Sequence, residues 1–143
     1  MLEVFLDANI LFAAVRSSSG GSYFIIELVK KKKISVVTVA HALAEAERNI
    51  GEKIGEKALD AHYENLLSIK PTIQSVVNLP ISLEEKLRSV IPEKDIPILA
   101  GALLSGVKIL ITLDQKHFLK NPKLKQLAIE IMTPGDFIKL YIL

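Results

Sequence analysis

The chain has 143 residues, half of them hydrophobic and 24% charged, with a formal net charge of +2. That is enough apolar material for one substantial core and argues for one domain spanning residues 1–143, and the near-neutral balance excludes a basic coat, so any nucleic acid must be met by a local patch. The absence of cysteine excludes disulfides, thiolate catalysis and cysteine–zinc sites, and with only His41, His62 and His117 a histidine-built metal site is not expected.

Taken in chain order, Leu2 to Leu6 is a short apolar run ending in Asp7 and predicts a buried strand. Glu3 and the lack of basic residues before it are unlike a secretion signal. No apolar stretch reaches the roughly 18 residues of a membrane span, so a cytoplasmic protein is expected. The apolar character continues from Asn9 to Val15, and Ser17-Ser18-Ser19-Gly20-Gly21 then predicts a loop. Ser22 is placed to cap a helix from Tyr23 to about Lys32, in which Phe24, Ile25, Leu28 and Val29 have helical spacing. Ile34 to Val39 is rich in β-branched residues and predicts a second strand. Helices are expected over Ala40–Ile50 and from Glu52 to about Ser68, before Pro71. Ile73 to Leu79 alternates and predicts a third strand. Ser82 with Glu85 has the spacing of a capping box. Lys94 or Asp95 opens a helix with Pro97 in its first turn, ending near Ser105-Gly106. Lys108 to Thr112 predicts a fourth strand, His117 to Gln126 a short helix or turn, Ala128 to Met132 a fifth strand, and Pro134 to Tyr141 a last helix. Short apolar strands alternating with helices are the pattern of an α/β fold, a parallel sheet covered on both faces.

Such a sheet binds ligands beyond the carboxyl ends of its strands. Asp7 directly follows the first strand and Asp114 the fourth, while Asp95 starts the helix before the fourth. In the helix after the second strand, Glu45 and Glu47 are rival acids. Carboxylates that converge without a basic partner repel one another, and Mg²⁺ or Mn²⁺ relieves this because hard cations prefer oxygen ligands. Ions of this kind activate water and stabilise charge on a phosphate, so no nucleophilic side chain is required. Each acid also has a plainer role available: Asp7 and Asp114 as turn or cap residues, Asp95 as the cap of the helix at Ile96-Pro97, Glu45 as an exposed helix acid.

Three segments resemble the PIN-domain ribonucleases, a family that includes the toxins of VapBC-type toxin–antitoxin pairs. Val4-Phe5-Leu6-Asp7-Ala8-Asn9-Ile10-Leu11 is similar to the family's opening motif. Leu43-Ala44-Glu45-Ala46-Glu47-Arg48-Asn49-Ile50 is similar to its helix motif, in a register that favours Glu45 over Glu47. Asp95 to Leu103 followed by Gly106 to Asp114 looks like the segment that carries the third and fourth acids. Leu113 departs from the Gly or Asn of many members, and neither Gln115 nor Lys116 supplies the further acid that some relatives carry, which leaves one ion or two open. The resemblance implies a three-layer α/β/α sandwich with strand order 3-2-1-4-5 and hydrolysis of single-stranded RNA by Mg²⁺ or Mn²⁺ held by Asp7, Glu45, Asp95 and Asp114. It also implies a homodimer and, if the chain is a toxin, an antitoxin partner. A non-catalytic interaction domain with this fold is the alternative. A phosphotransfer domain fits less well, because Asn9 stands where a dehalogenase-like enzyme needs a second Asp.

Around these acids, Asn9 and Thr112 are candidates to buttress the ligands. Arg16, Lys116, His117 and Lys120 are candidates for RNA contact, because they lie close in sequence to Asp7 and Asp114. Lys30-Lys31-Lys32-Lys33 is expected at the opposite edge of the sheet, where it complements a helix carboxyl end.

Overall fold

The computed structural model describes residues 1–143. Five parallel strands, β1 (Leu2–Leu6), β2 (Ile34–Thr38), β3 (Thr72–Ile73), β4 (Ile109–Ile111) and β5 (Glu130–Met132), form one sheet in the order β3-β2-β1-β4-β5. β1 is central: Val4, Phe5 and Leu6 are fully buried, as expected for a strand covered on both faces. The chain crosses from β1 to β2 to β3 in one direction and returns from β3 to β4 in the other. With right-handed crossovers this sends the intervening helices to opposite faces. One side carries α1 (Ala8–Arg16), α2 (Gly21–Lys30), α3 (Ala40–Lys53) and α4 (Glu56–Ile69), which pack on one another; the other carries α5 (Ile81–Arg88) and α6 (Ile96–Ser105). A short helix, α7 (Pro134–Phe137), follows β5 and packs against α2.

The packing explains several residue choices. Gly101 lies where α6 crosses the sheet, and a Cβ there would collide with Val39 and sit 3.2 Å from the Phe5 ring. The buried Thr38 hydroxyl donates to the Leu6 carbonyl at 2.9 Å, satisfying an acceptor at the strand end. Leu2 pairs with Ile34, so Lys30 to Lys33, just before β2, lie at the amino edge of the sheet. α6 leads into the amino end of β4, so its head lies toward the opposite, carboxyl edge, and this places Asp95 on the same side as Asp7 and Asp114.

Four expectations need correction. The third strand is only Thr72–Ile73, and the residues up to Leu79 form no strand, since only Val37 and Thr38 offer a pairing edge there. Ser22 does not cap α2: the helix begins two residues earlier, with Gly20 at its N-cap. The helix then stops at Lys30, and Lys32 takes a left-handed backbone with φ 59°. Ser82 likewise lies inside α5, which starts at Ile81 after Pro80 and has no side-chain cap. The last helix is a short α7 continued by a wider π-type turn from Ile138 to Ile142.

Candidate active site

Asp7 sits where β1 becomes α1. Its Oδ1 accepts from the Ala8 amide at 2.7 Å and its Oδ2 from the Thr112 hydroxyl at 2.8 Å, and the residue is 5% exposed. Thr112 is fully buried just past β4, held in line by its own amide donating to the Met132 carbonyl at 3.0 Å. Its hydroxyl oxygen also accepts from the Asp114 amide at 3.1 Å. One side chain therefore fixes the acids that follow two neighbouring strands. Asn9 completes the link: its Nδ2 lies 3.4 Å from Asp7 Oδ2 and 3.3 Å from Thr112 Oγ1, and its Oδ1 accepts from the Leu113 amide at 3.0 Å.

Burial pushes the Asp7 carboxyl up to about 6, against the hydrogen bonds from Thr112 and Ala8, and the charges of Glu45 and Asp114 push it further the same way. Asp95 is also raised, first by burial and then by Asp114 and Glu45, with His117 and Lys94 opposing. These couplings separate the two rival acids of α3. Glu45 is half-buried and its charge is felt by both Asp7 and Asp95. Glu47 is exposed and acts instead on His62 and Tyr63 of α4.

Asp95, Asp114 and His117 form the tightest cluster, each offering one ligand atom within 4.8 Å of the others. His117 Nδ1 lies 2.9 Å from Asp95 Oδ2 and 3.4 Å from Asp114 Oδ2. The first contact is close but points away from a proper ring N–H hydrogen bond, which leaves Asp95 Oδ2 buried without a hydrogen-bond donor. Asp95 stands at the N-cap position of α6 yet its side chain makes no capping bond, so capping does not account for it. Asp114 does cap, accepting from the His117 amide at 3.0 Å. A buried oxygen with no donor beside other carboxylates and one imidazole fits a hard divalent cation. His117 was expected only as an RNA contact, but the structure turns it toward the acids. The Asp-x-x-His spacing on one turn after β4 is the sequence signal that could have placed it. Arg16 is exposed at the end of α1, with its guanidinium 5.9 Å from the Phe12 ring centre, and Lys116 and Lys120 are exposed beyond Asp114.

The sequence pattern of the PIN domain matches residues 3–116, and the chain belongs to the PIN-domain family. Its members are generally metal-dependent nucleases. Among solved structures, the chain is similar to the crystal structure of VapBC2 from Rickettsia felis bound to a DNA fragment from their promoter. The likeness has a TM-score of 0.66 at 17% identity and covers 92% of this chain and 98% of the matched one, a likeness of fold. No functionally curated protein sequence matches.

Proposed function

We propose that the chain is a divalent-metal-dependent endoribonuclease that hydrolyses phosphodiester bonds of single-stranded RNA. The observation that carries this reading is the buried Asp95 Oδ2, without a donor, facing Asp114 and His117 at the carboxyl edge of the sheet. An interaction domain gains nothing from crowding acids whose burial disfavours their charge. Asp95 and Asp114 would hold Mg²⁺ or Mn²⁺, with Asp7 and Glu45 beside them. Such an ion supplies electrophilic assistance to the phosphate and lowers the pKa of the attacking water.

The remaining roles belong to the chain itself. Thr112 and Asn9 fix the Asp7 carboxylate by hydrogen bonds and tie it to the Asp114 backbone. His117 places a ring nitrogen beside both acids and would complete the group around the ion. Arg16, Lys116 and Lys120 are exposed cations for the RNA backbone, and with a net charge of only +2 the affinity should be modest and salt-sensitive.

The fold likeness to VapBC2 supports a toxin–antitoxin setting, with an antitoxin protein as partner. The family resemblance supports a homodimer working in the cytoplasm. Apolar side chains such as Leu67 and Leu140 are 75% and 66% exposed and leave surface for either partner. The test is incubation of the chain with a set of single-stranded RNAs in Mg²⁺, in Mn²⁺ and in chelator. Cleavage with either ion and none in chelator is expected; cleavage that survives chelation would contradict the reading.

A further inference from the structure

We propose that the pocket at the amino end of α2 is an oxyanion subsite that takes an RNA backbone phosphate next to the one being cleaved. This rests on the ribonuclease reading and adds to it a second point of substrate contact. The pocket has a volume of about 320 Å³, with Gly20, Gly21 and Ser22 on one wall and Leu113, Thr133 and Pro134 on the other. It opens beyond the carboxyl ends of β4 and β5. Leu113 stands between Thr112, which holds Asp7, and Asp114, so the pocket adjoins the acid cluster across one residue. No charged side chain lines it.

Two independent observations make it a site for an anion. The first is the backbone. α2 is ten residues long, its N-cap Gly20 has no side chain, and the amides of Gly21, Ser22 and Tyr23 find no acceptor. Free amides at a helix start carry partial positive charge and donate to anions. The second is Ser22. Only 5% of this residue is exposed, it lines the pocket, and its hydroxyl makes no hydrogen bond to the protein. With no protein partner, that hydroxyl is free to bond a group seated in the pocket. The pocket thus presents donors and no carboxylate, which selects an anion over a metal ion. Its position beside the acids selects the phosphate of the same polyanion. A Cβ on Gly21 would sit 3.1 Å from Pro134 Cβ, so glycine lets α2 and α7 close together and form the pocket's floor.

The experiment uses a short fluorescein-labelled single-stranded RNA, with binding followed by anisotropy in chelator so that no cleavage competes. Ser22→Asp places a carboxylate where the phosphate would lie, at the second residue of α2, where an acid suits the helix start. It is expected to weaken RNA binding by about tenfold, a loss of roughly 1.4 kcal/mol, with Mn²⁺ affinity unchanged by calorimetry. RNAs with one neutral methylphosphonate at each linkage in turn then locate the contact. In chelator the acids hold no ion to grip the scissile phosphate, so the wild type should lose affinity at a linkage where Ser22→Asp is insensitive. Wild-type affinity in Ser22→Asp overturns the proposal, as does a scan in which the two proteins respond alike. If Ser22→Asp does not fold, Ser22→Ala is scanned in its place: a selective loss of sensitivity at one linkage supports the subsite, and a profile like that of the wild type overturns it. Because the readout is binding, RNA that is bound but never cleaved removes the ribonuclease reading while the subsite is still judged by the scan.

Discussion

A carboxylate as enclosed as Asp7 destabilises the fold whenever it is ionised, and the direction of its shift makes this measurable. Its folded value of about 6 lies above the ordinary 3.8, so below pH 4 the side chain is neutral in both states and costs nothing. The cost grows as pH rises from 4 to 6 and is full above 6, on the order of 2–3 kcal/mol. Asp7→Asn should therefore be more stable than the wild type at pH 7.5, with the gap closing near pH 4, while losing Mn²⁺ binding. Urea melts of both proteins at the two pH values check this. Thr112→Val removes the donor to Asp7 and the acceptor for the Asp114 amide together. A loss of about 1–3 kcal/mol is expected for groups left unpaired, with cleavage impaired, and Thr112→Ser should restore both. Equal stability and activity in the Val and Ser variants would show that the hydroxyl does nothing.

At the scale of elements, α3 separates site from surface. Glu45→Gln should abolish Mn²⁺ binding and RNA cleavage, whereas Glu47→Gln should leave both intact, since Glu47 faces His62 and Tyr63. A calorimetric Mn²⁺ titration of the two variants distinguishes them. The same α3–α4 pair encloses His62, which is 1% exposed with neither ring nitrogen partnered, and burial holds its pKa below the ordinary 6.5. The unfolded chain thus binds this proton more readily, and the stability that neutral His62 permits is lost as pH falls below 6.5. His62→Leu should flatten that loss in melts between pH 7 and pH 5.

These elements also show what the sequence made legible. β1, β2 and β4 carry dense apolar runs and stand out. β3 does not, because the alternation from Ile73 to Leu79 has a pairing edge for only two residues. Asp7, Asp95 and Asp114 were visible from their places at strand and helix ends. The choice of Glu45 needed the family register, since both α3 acids suit a helix surface and only the packed structure half-buries one of them. The contact of His117 with Asp95 and Asp114 depends on a turn of the π type after β4, so the Asp-x-x-His spacing hints at it while no periodicity in Gln115 to Leu119 announces the geometry.

At the scale of the whole molecule, the carboxyl edge of the sheet gathers acids whose crowding a bound divalent ion would make tolerable. A ligand that binds only the native state stabilises it, by about 2.7 kcal/mol at a hundredfold excess over Kd, so Mn²⁺ should raise the melting temperature of the wild type. The most direct measurement is Mn²⁺-dependent cleavage of single-stranded RNA by Asp114→Asn beside the wild type. Asparagine keeps the size of the side chain and can still accept from the His117 amide, so the turn after β4 is preserved while the charge is lost. The account predicts a folded variant with cleavage and the Mn²⁺-induced rise in melting temperature both lost. An Asp114→Asn protein that cleaves RNA at the wild-type rate and still responds to Mn²⁺ would contradict it.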